Sequence, residues 1–395
     1  MPFKERSIVL EREEFCRLAS EAGANLRALC RRWGISPTTG YKWLGRWQST
    51  GRPGLADRPR RPQRSPARCE AAIEDQILAV RREHPAWGGR KIRHVLMRAE
   101  LVAVPAASTI TAVLRRHGLL DGPRAGMARA YQRFEREHPN ELWQMDFKGH
   151  FAIAEGRCHP LTVLDDHSRY ALVLSACANE QGETVRERLE QAFRRYGLPQ
   201  RILTDNGPPW GTAGAELHTP LTVWLLDLDV AVGHSRPRHP QTMGKDERFH
   251  RSLKAEVLAR RDVTDLTACQ AAFDAWREVY NTYRPHEALD MKMPIDRYTP
   301  SDRSLPETIA PPDYEETAAV RKVQTGGWLS FRGRTINCPK AFVGRRVALR
   351  ATETDGVFDI CYRRHPIAQV DLRDGVTYSQ PVHHVSERVS TISPV

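Results

Sequence analysis

Two stretches decide the fold: Trp143-Gln144-Met145-Asp146-Phe147 and Arg201-Ile202-Leu203-Thr204-Asp205-Asn206-Gly207. Each is a short apolar run closed by an aspartate, as expected of a buried strand whose end meets a ligand crevice. From Glu141 onward, strands alternate with helices. His159–Leu164 and Tyr170–Ala176 are apolar runs joined by Asp165-Asp166-His167-Ser168-Arg169, which predicts a hairpin or meander. Glu183–Tyr196 is an amphipathic helix stopped by Gly197 and Pro199. The Arg201–Thr204 strand, a helical run at Leu221–Leu226 and a strand near Val230–Val232 follow. Helices over Met243–Leu258 and Asp265–Tyr283 complete a mixed α/β domain, assigned to 138–300.

A third acid, Glu247, stands near the start of the Met243–Leu258 helix. Phe249, Leu253 and Val257 recur every four residues and should face the sheet. Glu247, His250, Arg251 and Lys254 lie on another face, so Glu247 can point into the crevice with Lys254 two turns on, in reach of a phosphate. Three converging carboxylates repel one another, and hard oxygen ligands of this kind suit Mg²⁺ or Mn²⁺. Two such ions serve in-line phosphoryl displacement. Taken singly, Asp146 and Asp205 read more readily as strand-end turn formers, and Glu247 as a surface acid, than as catalytic groups.

The charge pattern bears on the partner. The chain has 395 residues and a net charge of +12. Residues 1–140 hold 27 Lys/Arg against 14 Asp/Glu, a net of +13, and the remainder holds 33 against 34, a net of −1. Basicity gathered in the N-terminal third points to a polyanion held there, a solvated basic surface being the plainer reading. Within that third, Leu26–Trp33, Gly34, the cap Ser36, Pro37 and the helix Pro37–Trp47 spell a helix-turn-helix over 1–50. Thr38, Thr39, Tyr41, Lys42 and Arg46 would face DNA. Gly40 is out of place by propensity, since a mid-helix Gly costs about 1 kcal/mol relative to Ala. Residues 51–68 form a Pro/Arg linker whose Arg58, Arg60 and Arg61 could follow a phosphate backbone. Residues 69–125 read as a second helical, helix-turn-helix-like module with Ile92, Val95, Leu96, Ile110, Val113 and Leu114 as core and Ser108 as a cap. After a linker at 301–317, residues 318–385 alternate apolar and polar positions between glycine turns, which predicts a small β-barrel or sandwich.

Other classes fall away. No run approaches a membrane span, and the first residues lack an apolar signal region, so a cytoplasmic, nucleoid-associated protein is expected. Eight cysteines are scattered with no C-x-x-C pair, arguing for reduced thiols and against a zinc module of that spacing.

The stretch from Trp143 to Tyr298 resembles the catalytic core of insertion-sequence DDE transposases and retroviral integrases. The matching elements are WQMDF (143–147), LTVLDDHSRY (161–170), YGLPQRILTDNG (196–207), RPRHPQTMGKDERFHRSLKAE (236–256) and YNTYRPHEALDMKMPIDRY (280–298). The resemblance implies an RNase H-like integrase core between N-terminal helix-turn-helix modules and a C-terminal β module. It further implies a DDE triad at Asp146, Asp205 and Glu247 as catalytic residues and metal ligands, two Mg²⁺ or Mn²⁺ ions, and a basic position at Lys254. Lys245 and Arg251 join Lys254 as expected DNA contacts. The implied activity is cleavage and strand transfer of double-stranded DNA, at element terminal inverted repeats and target, by at least a dimer. A non-catalytic domesticated repressor and a nuclease without strand transfer are the alternatives. Asp165, Asp166 and Asp246 read as turn formers or as rotated off the site. Two departures stand out. Asp205 and Glu247 are separated by 41 residues, more than is usual in the family, with the surplus placed in Pro208–Pro220; there Trp210 is either a DNA contact or a buried plug. No His-His-Cys-Cys set precedes the core, as it does in retroviral integrases.

Overall fold

The N-terminal helices start where the sequence offers caps. In α1 (Ile8–Ala19) the Ser7 hydroxyl accepts from Leu10 N, and in α2 (Leu26–Arg32) the Asn25 side chain accepts from Ala28 N. In α3 (Pro37–Thr50) Ser36 accepts from Thr39 N with Pro37 at the first turn. Gly34, between α2 and α3, takes φ +62°, a left-handed conformation that favours glycine. Phe15, Cys16, Cys30, Trp43 and Leu55 are buried together, with Ile35 packed against them. The computed structural model describes residues 7–57, 69–99, 103–120, 135–211, 217–235, 244–259, 264–373 and 376–378. They fall into two units, Met1–Cys69 and Glu70–Val395. Arg58, Arg60 and Arg61 lie outside the described residues.

Gly40 proves to be required rather than out of place. A Cβ built there would sit 2.4 Å from Cys30 Sγ and 3.1 Å from Phe15 Cζ, because α3 passes directly over α1 and α2. Gly40→Ala is therefore expected to destabilise the first unit by about 1–3 kcal/mol through overpacking, against the gain of about 1 kcal/mol that helix propensity alone predicts. Thermal unfolding of the isolated change decides the sign; a raised Tm would refute this packing.

In the second unit, α4 (Ala71–Glu83), α5 (Gly89–Arg98) and α6 (Ala107–Arg116) enclose Ile77, Trp87, Ile92, Leu96, Ile110 and Leu114. Ser108 is not the cap: α6 begins one residue earlier, Ala106 stands at the N-cap, and no side chain caps it. The chain then enters a sheet of six strands: β1 (Trp143–Phe147), β2 (Phe151–Ile153), β3 (Gly156–Asp165), β4 (Ala171–Cys177), β5 (Arg201–Thr204) and β6 (Ala231–His234). The short strand β2, which pairs with the start of β3, was not foreseen from the sequence. β3 runs antiparallel to both β1 and β4, whereas β1, β5 and β6 run parallel. The expected mixed sheet is thus present.

Helices cover both faces of that sheet. Val185, Leu189 and Phe193 of α7 (Gly182–Tyr196) and Leu221, Trp224 and Leu225 of α8 (Pro220–Asp227) are buried in one cluster with Trp143, Met145, Leu161 and Ile202. Phe249 and Leu253 of α9 (Gly244–Leu253) and Phe273 and Trp276 of α10 (Leu266–Thr282) are buried in another with Leu164, Ala171 and Leu174. The predicted Met243–Leu258 helix is α9 prolonged by a π turn over Lys254–Leu258, whose Ala259 N donates to Lys254 O; Met243 lies outside the described residues.

The C-terminal part is antiparallel. β7 (Ala319–Lys322), β10 (Arg346–Ala351), β11 (Val357–Tyr362), β12 (His365–Asp371) and β13 (Val376–Tyr378) form one sheet, and β8 (Trp328–Phe331) and β9 (Arg334–Asn337) a hairpin. Its core takes in Val223 and Leu226 of α8. Asp227, just below them, accepts a hydrogen bond from Tyr362 and pairs with Arg345 at 3.0 Å, while Asp229 pairs with Arg364 at 2.7 Å.

Candidate active site

The parallel register of β1 and β5 builds the site. Trp143 lies opposite Ile202 and Gln144 opposite Leu203, so continuing the two strands brings Asp205 level with Asp146. Asp146 is half-buried and Asp205 exposed. The turn after Asp205 is fixed at three points. Gly207 N donates to Asp205 Oδ1 at 3.1 Å, Asn206 Nδ2 donates to Ser235 O at 2.9 Å, and His234 Nδ1 meets Asp205 O at 2.8 Å. Trp210 closes this turn as a buried plug, 2% exposed and stacked on Phe147 with ring centroids 5.7 Å apart. Residues 212–216 of the surplus loop lie outside the described residues.

α9 delivers Glu247, exposed on the first turn, while Phe249 and Leu253 anchor the opposite face in the core. Burial raises the Asp146 pKa, and the charges of Asp205, Glu180 and Glu247 raise it further, to about 7 against an ordinary 3.8. Three carboxylates from β1, the end of β5 and α9 therefore share one electrostatic neighbourhood. The set is all oxygen and mutually repulsive, the donor chemistry that a hard divalent cation fits. Arg251 and Lys254 are exposed on the same helix and its π turn. Burial, then Lys254, lowers the Lys148 pKa, which places those two ammonium groups near each other.

His250, one turn from Glu247, has a role the sequence did not reveal. Its Nε2 lies 2.9 Å from Thr162 Oγ1, and that hydroxyl donates to Asp146 O at 2.9 Å. A hydroxyl has one proton to give, so His250 carries its own on Nε2 and turns Nδ1 toward Asp146 Oδ2, 4.0 Å away. Burial and Lys148 push its pKa down to about 4, which keeps the imidazole neutral. α9 is in this way tied to the strand that bears the first acid.

Lys245, expected among the DNA contacts, turns its ammonium inward, where it pairs with the Asp166 carboxylate and donates to Asp166 O at 3.0 Å. The reason is the burial of Asp166, whose oxygens also accept from Gln144 Nε2 and Arg136 N at 2.8 Å each. Asp165 accepts from Asn140 N, Ser168 N and Ser168 Oγ at the turn predicted for it.

Asp246 is 0% exposed and its carboxyl has no hydrogen-bond partner among the described residues. Burial, with Asp146 and Asp166 adding to it, raises its pKa well above 3.8. A folded state that keeps this proton loses stability as pH rises from about the unfolded value of 3.8 toward the folded one. Asp246→Asn removes that slope: in metal-free buffer its Tm relative to the native chain should climb between pH 4 and pH 7 (about the unfolded and neutral limits). A difference constant over that range would refute the assignment.

On α3, Thr38, Tyr41 and Lys42 are exposed, while Thr39 and Arg46 are half-buried. Thr39 Oγ1 is engaged by Ser36 Oγ at 2.9 Å, and Arg12, Lys42 and Arg46 crowd the Trp43 ring, Arg12 at 3.8 Å.

Comparison with known families follows this layout. Residues 11–63 match a helix-turn-helix domain and 39–114 a homeodomain-like domain. Residues 136–240 and 228–294 match integrase core domains, and 318–377 match the C-terminal domain of IS481 family transposases. The chain is 31% identical over 159 residues to an uncharacterized 31.7 kDa protein of insertion element IS407 from Burkholderia multivorans, covering 40% of this chain and 55% of that one. It is 27% identical over 150 residues to an uncharacterized protein of insertion element IS476 from Xanthomonas euvesicatoria, covering 38% and 42%. The chain thus spans about half the length of these relatives. Among solved structures, the HTLV-2 integrase catalytic core domain in complex with magnesium matches 41% of this chain and 99% of its own, at 18% identity and a TM-score of 0.33. No described helix is long and apolar enough to cross a membrane. Helix-turn-helix domains, an integrase core and a transposase C-terminal domain follow one another along the chain, and this make-up supports an insertion-sequence transposase of integrase-like type.

Proposed function

We propose that this chain binds the terminal inverted repeats of its own mobile element and catalyses metal-dependent cleavage and strand transfer of DNA. The observation that carries the reading is the gathering of Asp146, Asp205 and Glu247, with Asp146 raised to about 7 by burial and by the other acids. Bound Mg²⁺ or Mn²⁺, two ions in this reading, supplies activation of the attacking oxygen and stabilisation of the leaving one. The three carboxylates would hold the metal, and the lowered Asp146 acidity means that a proton must leave as it binds. His250 and Thr162 keep Asp146 in register with Glu247. Lys148, Arg251 and Lys254 supply positive charge for the DNA backbone, and α3 offers Thr38, Tyr41 and Lys42 for groove contacts. Joining two ends to one target calls for at least a dimer on DNA, and a nucleoid location follows from the substrate.

Incubation of the protein with end-labelled element termini, unlabelled target and Mg²⁺ tests the reading. Cleaved ends joined to target are expected. Binding without cleavage would identify a repressor, and cleavage without joined product a nuclease. Lys42→Ala should weaken end binding and lower its salt dependence by about one counterion; unchanged affinity would remove α3 as the recognition helix.

A further inference from the structure

Beside the acid site, three other ligating side chains meet. His150 follows β1, His159 lies in β3, and Glu180 stands between β4 and α7. One donor atom from each lies within 4.8 Å of the others. His159 Nδ1 is 2.8 Å from Glu180 Oε1, and the His150 and His159 rings are 5.2 Å apart. The β2–β3 register, which sets Phe151 against Cys158, brings His150 opposite His159, and Glu180 joins them from the separate segment after β4. His150 is exposed and the other two are half-buried, which leaves the cluster open to solvent.

The donor chemistry differs from that of the catalytic acids. Two imidazoles and one carboxylate favour a borderline transition ion over Mg²⁺, and three protein ligands leave a fourth tetrahedral position open. We propose that His150, His159 and Glu180 form a second metal site, of zinc class, distinct from the Asp146–Asp205–Glu247 centre. Donors within 4.8 Å need only a modest closure to reach metal–ligand contact, since His150 is on an exposed loop. One competitor stands in place: Arg157 Nη1 is 2.9 Å from His150 Nε2, and this exposed side chain must swing away. Glu180 is also among the acids whose charge reaches Asp146, so a cation held there alters the field at the catalytic carboxylates.

The test separates this site from the proposed active centre. The untagged full chain carrying Asp146→Asn, Asp205→Asn and Glu247→Gln is titrated with Co²⁺ and read by the visible absorption of low-coordinate cobalt, then challenged with Zn²⁺. One equivalent displaced by Zn²⁺ is expected. Its absorption should vanish when His150→Ala, Glu180→Gln or His159→Ala is added, His150 being an exposed position whose change leaves the core untouched. Arg157→Ala should tighten binding by removing the competing cation. No low-coordinate cobalt spectrum in the triad-substituted chain, or a spectrum that survives both histidine substitutions, would overturn the proposal.

Discussion

Asp205→Ala is expected to abolish both cleavage and joining of element ends, a fall of at least roughly 10³-fold, while end binding stays close to that of the native protein. The magnitude follows from removing one of the three charged groups that would hold the metal in the proposed centre, since loss of even a single neutral donor costs about 10²–10³-fold elsewhere. Binding should be spared because Asp205 is exposed, its carboxylate accepting the local bond from Gly207 N, and because the expected end-recognition residues lie on α3 in the other unit. A paired gel assay for binding and strand transfer reads both quantities. Retained cleavage would remove Asp205 from the chemistry, and lost binding would make it structural.

Trp210→Ala is expected to cost about 3–5 kcal/mol of stability, the range for emptying a fully buried Trp site. The indole is 2% exposed and lies in one cluster with Trp143, Val185, Leu221 and Trp224. It also stacks on Phe147, the neighbour of Asp146, and ends the turn that begins at Asp205, with Trp210 N donating to Gly207 O at 3.1 Å. The same change should therefore lower strand transfer in whatever fraction remains folded. Urea unfolding gives the first number; a loss below about 1 kcal/mol would mean that the cavity collapses or that the indole is not a plug.

Much of this was readable in the residues. Ser36, Pro37 and Gly34 announced α3 because caps and turns act through local backbone chemistry. The two Asp-ended strands pointed to a crevice at strand ends, and the every-fourth-residue pattern of Phe249 and Leu253 told which way α9 faces. What escaped was tertiary. Gly40 seemed a helix defect until Cys30 and Phe15 occupied the space above it. Lys245 and Asp246 stand four and three residues before Phe249, on the face that this pattern turns inward, but the run does not show the partner that holds a lysine there. Asp166, 79 positions before Lys245, settles that question by needing a counter-charge. His250 and Thr162 are separated by 88 positions, so no local pattern joins them. Trp210 stood undecided between DNA and core because a loop tryptophan carries no periodicity.

The central claim is that Asp146, Asp205 and Glu247 make one divalent-metal centre. Crystals of the native chain grown with Mn²⁺, measured for anomalous scattering, test it most directly. Manganese density between the three carboxylates is the predicted result. Carboxylates resolved without manganese among them, even if the ion appears at His150 and His159, would contradict it.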